Sequence, residues 1–238
     1  MKKSNYLVIL FALVIWPGSL LLRRPELNYP PSIDHHKKLD HFSVVVAQPG
    51  SRVSMVSQEQ DVRYPTFDYS LKENELLKPL PFGVRNDTLF VFGYSGRNQS
   101  GGFSCMGVKS IVGMEKSVIG MGHFQIDSLN LKLRYAKLSG DLDLSNKKSR
   151  TITIDADSSK IEFRNYMYNF DKIDIRLNRS YLTMLVGRKD TGLITGSLKN
   201  YSRLSIDAGR PRGQVTTDET SFNFLAGTSI ASAQFLKF

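Results

Sequence analysis

Leu129-Asn-Leu-Lys-Leu-Arg-Tyr-Ala-Lys-Leu-Ser-Gly140, Ile152-Thr-Ile-Asp-Ala-Asp-Ser-Ser-Lys-Ile-Glu-Phe163 and Ile173-Asp-Ile-Arg-Leu-Asn-Arg-Ser-Tyr-Leu-Thr-Met184 are one twelve-residue line written three times, and they align without a gap. The copies start at 129, 152 and 173, so they are 23 and 21 residues apart. Their first apolar columns are Leu129/Ile152/Ile173, Leu131/Ile154/Ile175 and Leu133/Ala156/Leu177. A small-residue column follows at Ala136/Ser159/Ser180, and an apolar one resumes at Leu138/Ile161/Leu182. Apolar residues alternate with polar ones, so each line predicts two short strands separated by a bend at the small residue. A unit of about 20 residues cannot bury its apolar face alone. Stacked copies can, one strand spacing apart at roughly 4.8 Å, with each apolar column becoming a ladder inside a parallel β-solenoid.

The outward columns agree with stacking. Lys132, Asp155 and Arg176 share one column with alternating sign, and Arg134, Asp157 and Asn178 share the next. Such cross-strand neighbours contribute from a few tenths to about 1 kcal/mol each. One column departs from this rule by placing Lys137 beside Lys160. Downstream the pattern continues through Ile194, Gly196 and Leu198, then Ser202, Leu204 and Ile206. Upstream it continues through Val112, Ser117, Ile119 and Met121. The expected architecture is an all-β, single-stack parallel β-solenoid of about five turns over residues 42–213.

The 238 residues are 41% hydrophobic with a formal net charge of +10, enough for one sizeable core and cationic enough to suggest anionic partners. Two clusters carry much of that charge. Residues 2–38 hold Lys2, Lys3, Arg23, Arg24, Lys37 and Lys38 around an apolar run, and membrane topology accounts for them. The second cluster, Arg188, Lys189, Lys199, Arg203, Arg210 and Arg212, is the candidate basic binding surface of the folded part. The single cysteine, Cys105, excludes an internal disulfide framework and reads as an inert thiol.

Tyr6 to Leu22 contains no charged residue and is followed by no Ala-x-Ala site, so residues 1–24 read as an uncleaved transmembrane signal anchor. Residues 25–41, with Pro25, Pro30 and Pro31, read as a tether. Within it His35, His36 and His41 stand near Asp34 and Asp40. These are suitable metal donors, but they lack the spacing of a structured site, so no metal or other cofactor is assigned. Phe42-Ser-Val-Val-Val46 and Val53-Ser-Met-Val56 predict strands around a Pro49-Gly50 turn, and Asn86 to Phe92 predicts another. Residues 57–82 read as a loop or short helix crossing one end of the solenoid, and Gly93 to Gly107 as a loop. Residues 214–238 read as an apolar tail or cap.

On Phe42-Ser-Val-Val-Val46, Val53-Ser-Met-Val56, Asp87-Thr-Leu-Phe-Val91 and the three lines with Ser159, Ser180 and Ser202 before their second strands, the chain resembles a bacterial family, the head GIN domain. Members of that family are called putative autotransporter adhesins. The resemblance covers roughly Phe42 to Ala208 and implies a β-solenoid outside the inner membrane or at the cell surface, with no catalytic residues to carry over.

No Gly-x-Ser-x-Gly, His-Glu-x-x-His, phosphate loop or paired Cys motif is present. The expected function is therefore a non-enzymatic, membrane-tethered envelope protein. Its solenoid would bind a protein or an acidic glycan, and nucleic acid is not expected as a partner. The expected location is the bacterial inner membrane, crossed once, with the domain exported to the periplasm or cell surface. A β-helical carbohydrate-active enzyme is the first alternative, with Asp155, Asp157 and Asp174 as its carboxylates. A membrane-attached sensor or regulator domain is the second.

Overall fold

The computed structural model describes residues 32–57, 65–72, 82–92, 101–105, 107–125, 128–143, 151–167, 170–186, 192–208 and 212–226. They form strands β1 (Ser32–Lys38), β2 (Val44–Ala47), β3 (Arg52–Ser57), β4 (Thr66–Lys72), β5 (Phe82–Arg85), β6 (Thr88–Val91) and β7 (Gly101–Cys105). The central strands are β8 (Ser110–Gly113), β9 (Val118–Gln125), β10 (Ser128–Arg134), β11 (Lys137–Asp143), β12 (Thr151–Asp157) and β13 (Lys160–Met167). The last are β14 (Lys172–Asn178), β15 (Tyr181–Val186), β16 (Leu193–Lys199), β17 (Arg203–Ala208), β18 (Arg212–Thr217) and β19 (Phe222–Ala226). Two sheets result, ordered β18-β16-β14-β12-β10-β8-β2-β6-β5 and β1-β4-β7-β3-β9-β11-β13-β15-β17-β19.

Each repeat line is one rung, with its first strand in the nine-stranded sheet and its second in the ten-stranded sheet. The pairing is parallel and in the expected register, with Leu131 beside Ile154 and Ile154 beside Ile175. On the second strands Leu138 pairs with Ile161, and Ile161 with Leu182. These inward columns are almost wholly buried in one cluster that also takes in Leu129, Ile173 and Leu204. The regular stack is about four turns, β10/β11 to β16/β17, and β8/β9 is the looser upstream copy.

The ends depart from the expected organisation. Residues 212–226, expected within a terminal turn and tail, form a further rung, β18/β19, in parallel register with β16 and β17. At the other end β2/β3 sits between β8/β9 and β6/β7, so the chain enters the stack in its interior. The stretch expected to be a loop or short helix supplies β4, antiparallel to β7, and Gly101–Cys105 is strand β7 rather than loop. β5 pairs antiparallel to β6 through a tight turn in which Asn86 and Asp87 both have positive φ. Antiparallel strands halt a parallel stack because they change the hydrogen-bonding pattern presented to the next copy. Phe67, Phe82 and Phe103, with ring centroids 4.6 to 5.1 Å apart, fill the core at this end. Ser32–Lys38, expected to be tether, is edge strand β1 next to β4, and Leu39 is buried with its amide bonded to the Pro65 carbonyl. Residues 1–24, where a transmembrane helix is expected, lie outside the described residues. Among the described residues there is no helix long and apolar enough to cross a membrane.

The small-residue column is a hydrogen-bonded ladder. The amides of Ala136, Ser159, Ser180 and Ser202 donate to the hydroxyls of Ser159, Ser180, Ser202 and Ser221 in the following rung, at 3.0 to 3.2 Å. The Ser159 and Ser180 hydroxyls in turn donate to the Asp157 and Asn178 carbonyls at 2.7 Å. Strand pairing is interrupted at each bend, and a serine hydroxyl supplies the acceptor that the backbone cannot. Ser180→Ala is expected to destabilise the domain by about 1–3 kcal/mol, because it leaves a buried Ser159 amide unpaired. Denaturant midpoints would measure this, with the exposed Thr183→Ala as the neutral comparison.

Candidate functional site

Each bend from β8/β9 to β16/β17 passes through a left-handed residue. Lys116, Tyr135, Ser158 and Arg179 have φ between 48° and 60°, and Asn200 and Tyr201 have φ of 54° and 63°. Side chains other than glycine and asparagine seldom adopt this region. It is held here because the Tyr135, Ser158 and Arg179 amides each bond a carbonyl of the following rung, those of Asp157, Asn178 and Lys199. The turn directs these side chains to the outer surface. Two residues later begins the first outward column of the ten-stranded sheet, in register from Arg52 through Val118, Lys137, Lys160 and Tyr181 to Arg203.

The two rows together form a strip along the stack with exposed aromatics and cations. Tyr135 and Tyr181 are each 52% exposed and Tyr201 is 73% exposed. Lys160 is paired with Glu162 at 2.6 Å, and Arg179 with Asp157 at 3.2 Å. Among the described residues Arg52, Lys116, Lys137 and Arg203 have no ion-pair partner.

The basic surface expected from sequence is only partly assembled. Lys199 ends β16 and Arg203 opens β17, on either side of one bend. Arg212 opens β18 in register with Leu193, at the far end of the strand from Lys199 and about 20 Å away at some 3.3 Å per residue. Arg188, Lys189 and Arg210 lie outside the described residues. The expected cluster therefore contributes Arg203 to the strip and Lys199 to its margin. Sequence reading passed over the tyrosines, Arg52 and Lys116. The one visible signal was the column in which Lys137 stands beside Lys160, and that register holds.

The candidate carboxylates are engaged elsewhere. Asp155 is Lys132's register partner, yet both its oxygens accept from the Arg134 guanidinium at 3.2 Å, in place of the expected Lys132 and Arg176. That bond raises the Arg134 pKa. Asp174 pairs with Arg176 at 3.4 Å. Asp157 accepts from Arg179, Asn178 and Ser158.

At the β5–β6 turn Asp87 accepts from the Ser43 hydroxyl and contacts His41 at 3.2 Å. The serine bond is the main cause holding the Asp87 carboxyl below its ordinary range. The carboxylate stands between Ser43 and His41, so the histidine is not placed to deprotonate the hydroxyl as nucleophilic catalysis requires. Burial pushes the Cys105 thiol up to about 12, in keeping with an inert side chain. Among the described residues there is no group of three metal-donor side chains. His35 and His36 lie in β1.

Asp218 accepts from the Asn200 amide at 2.6 Å and from the Thr220 amide and hydroxyl at 3.1 and 2.9 Å. Together with a bond from Ser221, its largest single cause, this lowers its pKa from 3.8 to about 2. A depressed carboxyl stabilises the fold above its unfolded pKa and loses that contribution as pH falls through the folded one. The contribution is thus complete above about pH 4 and fades toward pH 2. Carboxyl-carbon NMR is expected to give a midpoint near 2 for Asp218. Asp218→Asn is expected to lower the melting temperature at neutral pH and to leave it unchanged at the acid end.

No family model matches the chain, so its resemblance to the head GIN family rests on the quoted motifs. No curated protein matches either. Among solved structures, the chain is similar to a "putative adhesin" of Bacteroides fragilis NCTC 9343, with a TM-score of 0.49 and 12% identity over 83% of this chain and 97% of that one. It is also similar to a "putative adhesin" of Parabacteroides merdae ATCC 43184, with a TM-score of 0.40 and 10% identity over 89% and 97%. A third, the "putative adhesin" of Parabacteroides distasonis ATCC 8503, has a TM-score of 0.40 and 13% identity over 87% and 98%.

Proposed function

We propose that the protein is a non-enzymatic envelope protein, tethered to the inner membrane by residues 1–24, whose stacked sheets bind a protein or glycan partner outside the membrane. The observation that carries this reading is the strip of exposed tyrosines and cations along the stack, in which Arg52, Lys116, Lys137 and Arg203 have no ion-pair partner among the described residues. Asp155, Asp157 and Asp174, the carboxylates that an enzyme of this shape would use, are each bound to an arginine. The uncharged run from Tyr6 to Leu22, flanked by Lys2, Lys3, Arg23 and Arg24, supports the tether.

Two experiments test this reading. A reporter fused after Phe238 is expected to be active only when exported, and cytoplasmic activity would overturn the location. The purified full chain is expected to leave acidic polysaccharides uncleaved. Turnover abolished by Asp155→Ala or Asp174→Ala, with the melting temperature unchanged, would replace this reading with a glycan-cleaving one.

A further inference from the structure

We propose that the bend strip is a binding site for a linear acidic polysaccharide carrying about one carboxylate or sulfate per sugar, lying parallel to the stack axis. This rests on the binding role proposed above and names its surface and ligand class.

Spacing is the first reason. Stacking sets the rungs about 4.8 Å apart, so the six from β2/β3 and β8/β9 to β16/β17 extend over some 24 Å. Each brings at least one cation to the bend or to the column beside it. A sugar residue in an extended chain covers about the same distance as one rung, so anionic groups repeating once per sugar meet Arg52, Lys116 and Lys137 on three successive rungs and Arg203 three rungs further on. Duplex DNA presents a charge about every 1.7 Å, nearly three per rung, and would leave most of its phosphates unmatched.

The aromatic side chains are the second reason. Tyr135, Tyr181 and Tyr201 project from the same strip at 52% to 73% exposure, a placement that costs apolar contact unless something covers it. An amphipathic ring can lie against the C–H face of a pyranose while its hydroxyl stays in water. Val118, 38% exposed, continues this apolar component one rung upstream of Lys137.

Charge balance is the third. Of the carboxylates beside the strip, Glu162 and Asp157 are already engaged by Lys160 and Arg179, Asp218 is held by the Asn200 and Thr220 amides, and Glu219 stands exposed at the last bend, beyond Tyr201. Glu115 stands at the β8/β9 bend next to Lys116. Arg52, Lys137 and Arg203 are left to face an anion on their own column. The outer face of the other sheet differs: its strands carry no tyrosine, and Arg134 and Arg176 are paired with Asp155 and Asp174, leaving Lys132 as an exposed cation without an aromatic neighbour in its column.

Affinity electrophoresis of the purified full chain through gels containing polygalacturonate tests the site, with neutral dextran and a DNA duplex as comparisons. Retardation by polygalacturonate is expected, weakening as salt rises. Tyr181→Ala is expected to lower affinity at least about tenfold, the loss typical of an anchoring aromatic side chain. Lys137→Glu combined with Arg203→Glu is expected to abolish retardation, and Arg176→Ala on the opposite sheet to leave it unchanged. All these positions are exposed, and equal melting temperatures would exclude misfolding. Absence of retardation, undiminished binding by Tyr181→Ala, or equal retardation by DNA would each overturn the assignment. A chain that is exported and non-catalytic but indifferent to polygalacturonate would lose this ligand and keep its broader role.

Discussion

Gly196→Ala is expected to destabilise the domain by roughly 3 kcal/mol or more, far beyond an ordinary surface substitution. Gly196 occupies an inward column position beside Ile175 and Val215, with φ at +152°, a conformation that residues with a Cβ rarely adopt. A Cβ built there would stand 1.8 Å from the Ile175 carbonyl oxygen. That oxygen is backbone of the preceding rung and cannot rotate aside as a side chain would. Relief would require the two rungs to separate, with loss of pairing between β14 and β16. Gly83→Ala is the natural control, since nothing lies within 4 Å of its Cβ position. Its effect should remain within about 1 kcal/mol. Urea denaturation of both variants would decide the matter, and matching midpoints would show that the rungs are not in such close contact at Gly196.

An aspartate at position 154 is expected to prevent folding, whereas an isoleucine at position 155 should be tolerated. Ile154 is completely buried between Leu131 and Ile175 in the centre of the regular stack. Ile154→Asp would put a carboxylate there without a partner, at a cost of several kcal/mol, comparable to the whole stability of a typical domain. Asp155 faces outward and makes a half-exposed pair with Arg134. Pairs of this kind contribute about 0–1 kcal/mol, and a β-branched residue suits a strand. Circular dichroism at rising temperature should show a folded Asp155→Ile chain and an unfolded Ile154→Asp chain. The reverse result would mean that the two faces of β12 have been exchanged.

The centre of the fold was legible because its apolar columns obey one register for four copies, and register follows from period-two burial. Leu131, Ile154 and Ile175 stack as their spacing demands. The last rung was harder to see, since β18 offers Gly213, Val215 and Thr217 to the inward columns and so lacks a full apolar set. The order of β6, β2 and β8 was not legible at all. Short strands such as Val44–Ala47 and Ser110–Gly113 carry similar alternation, and which of them become neighbours depends on long-range packing. Surface chemistry was legible by column and not by partner. Lys132 and Asp155 are in register, but Arg134 takes the carboxylate because its longer, forked side chain reaches diagonally and binds both oxygens. The serine column was visible as small residues, and its hydrogen bonds required coordinates. The tyrosine strip was missed because outward columns had been read for charge alone.

The position of β2/β3 between two later rungs constrains how the protein can be made. A chain emerging from the ribosome presents Val44–Ala47 long before either strand that will flank it, since those begin at Thr88 and Ser110. Until Thr88–Val91 has appeared both edges of this early pair stay bare, and the edge that β8 and β9 will cover stays open to wrong partners, including a second nascent copy, until they follow. The downstream repeats can join one after another as they are synthesised, each docking on its predecessor. Stalling translation before and after β9 (Val118–Gln125) has cleared the ribosome, with proteolysis of the nascent chains, should therefore reveal a sharp gain of protection at the first half of the protein, followed by stepwise growth.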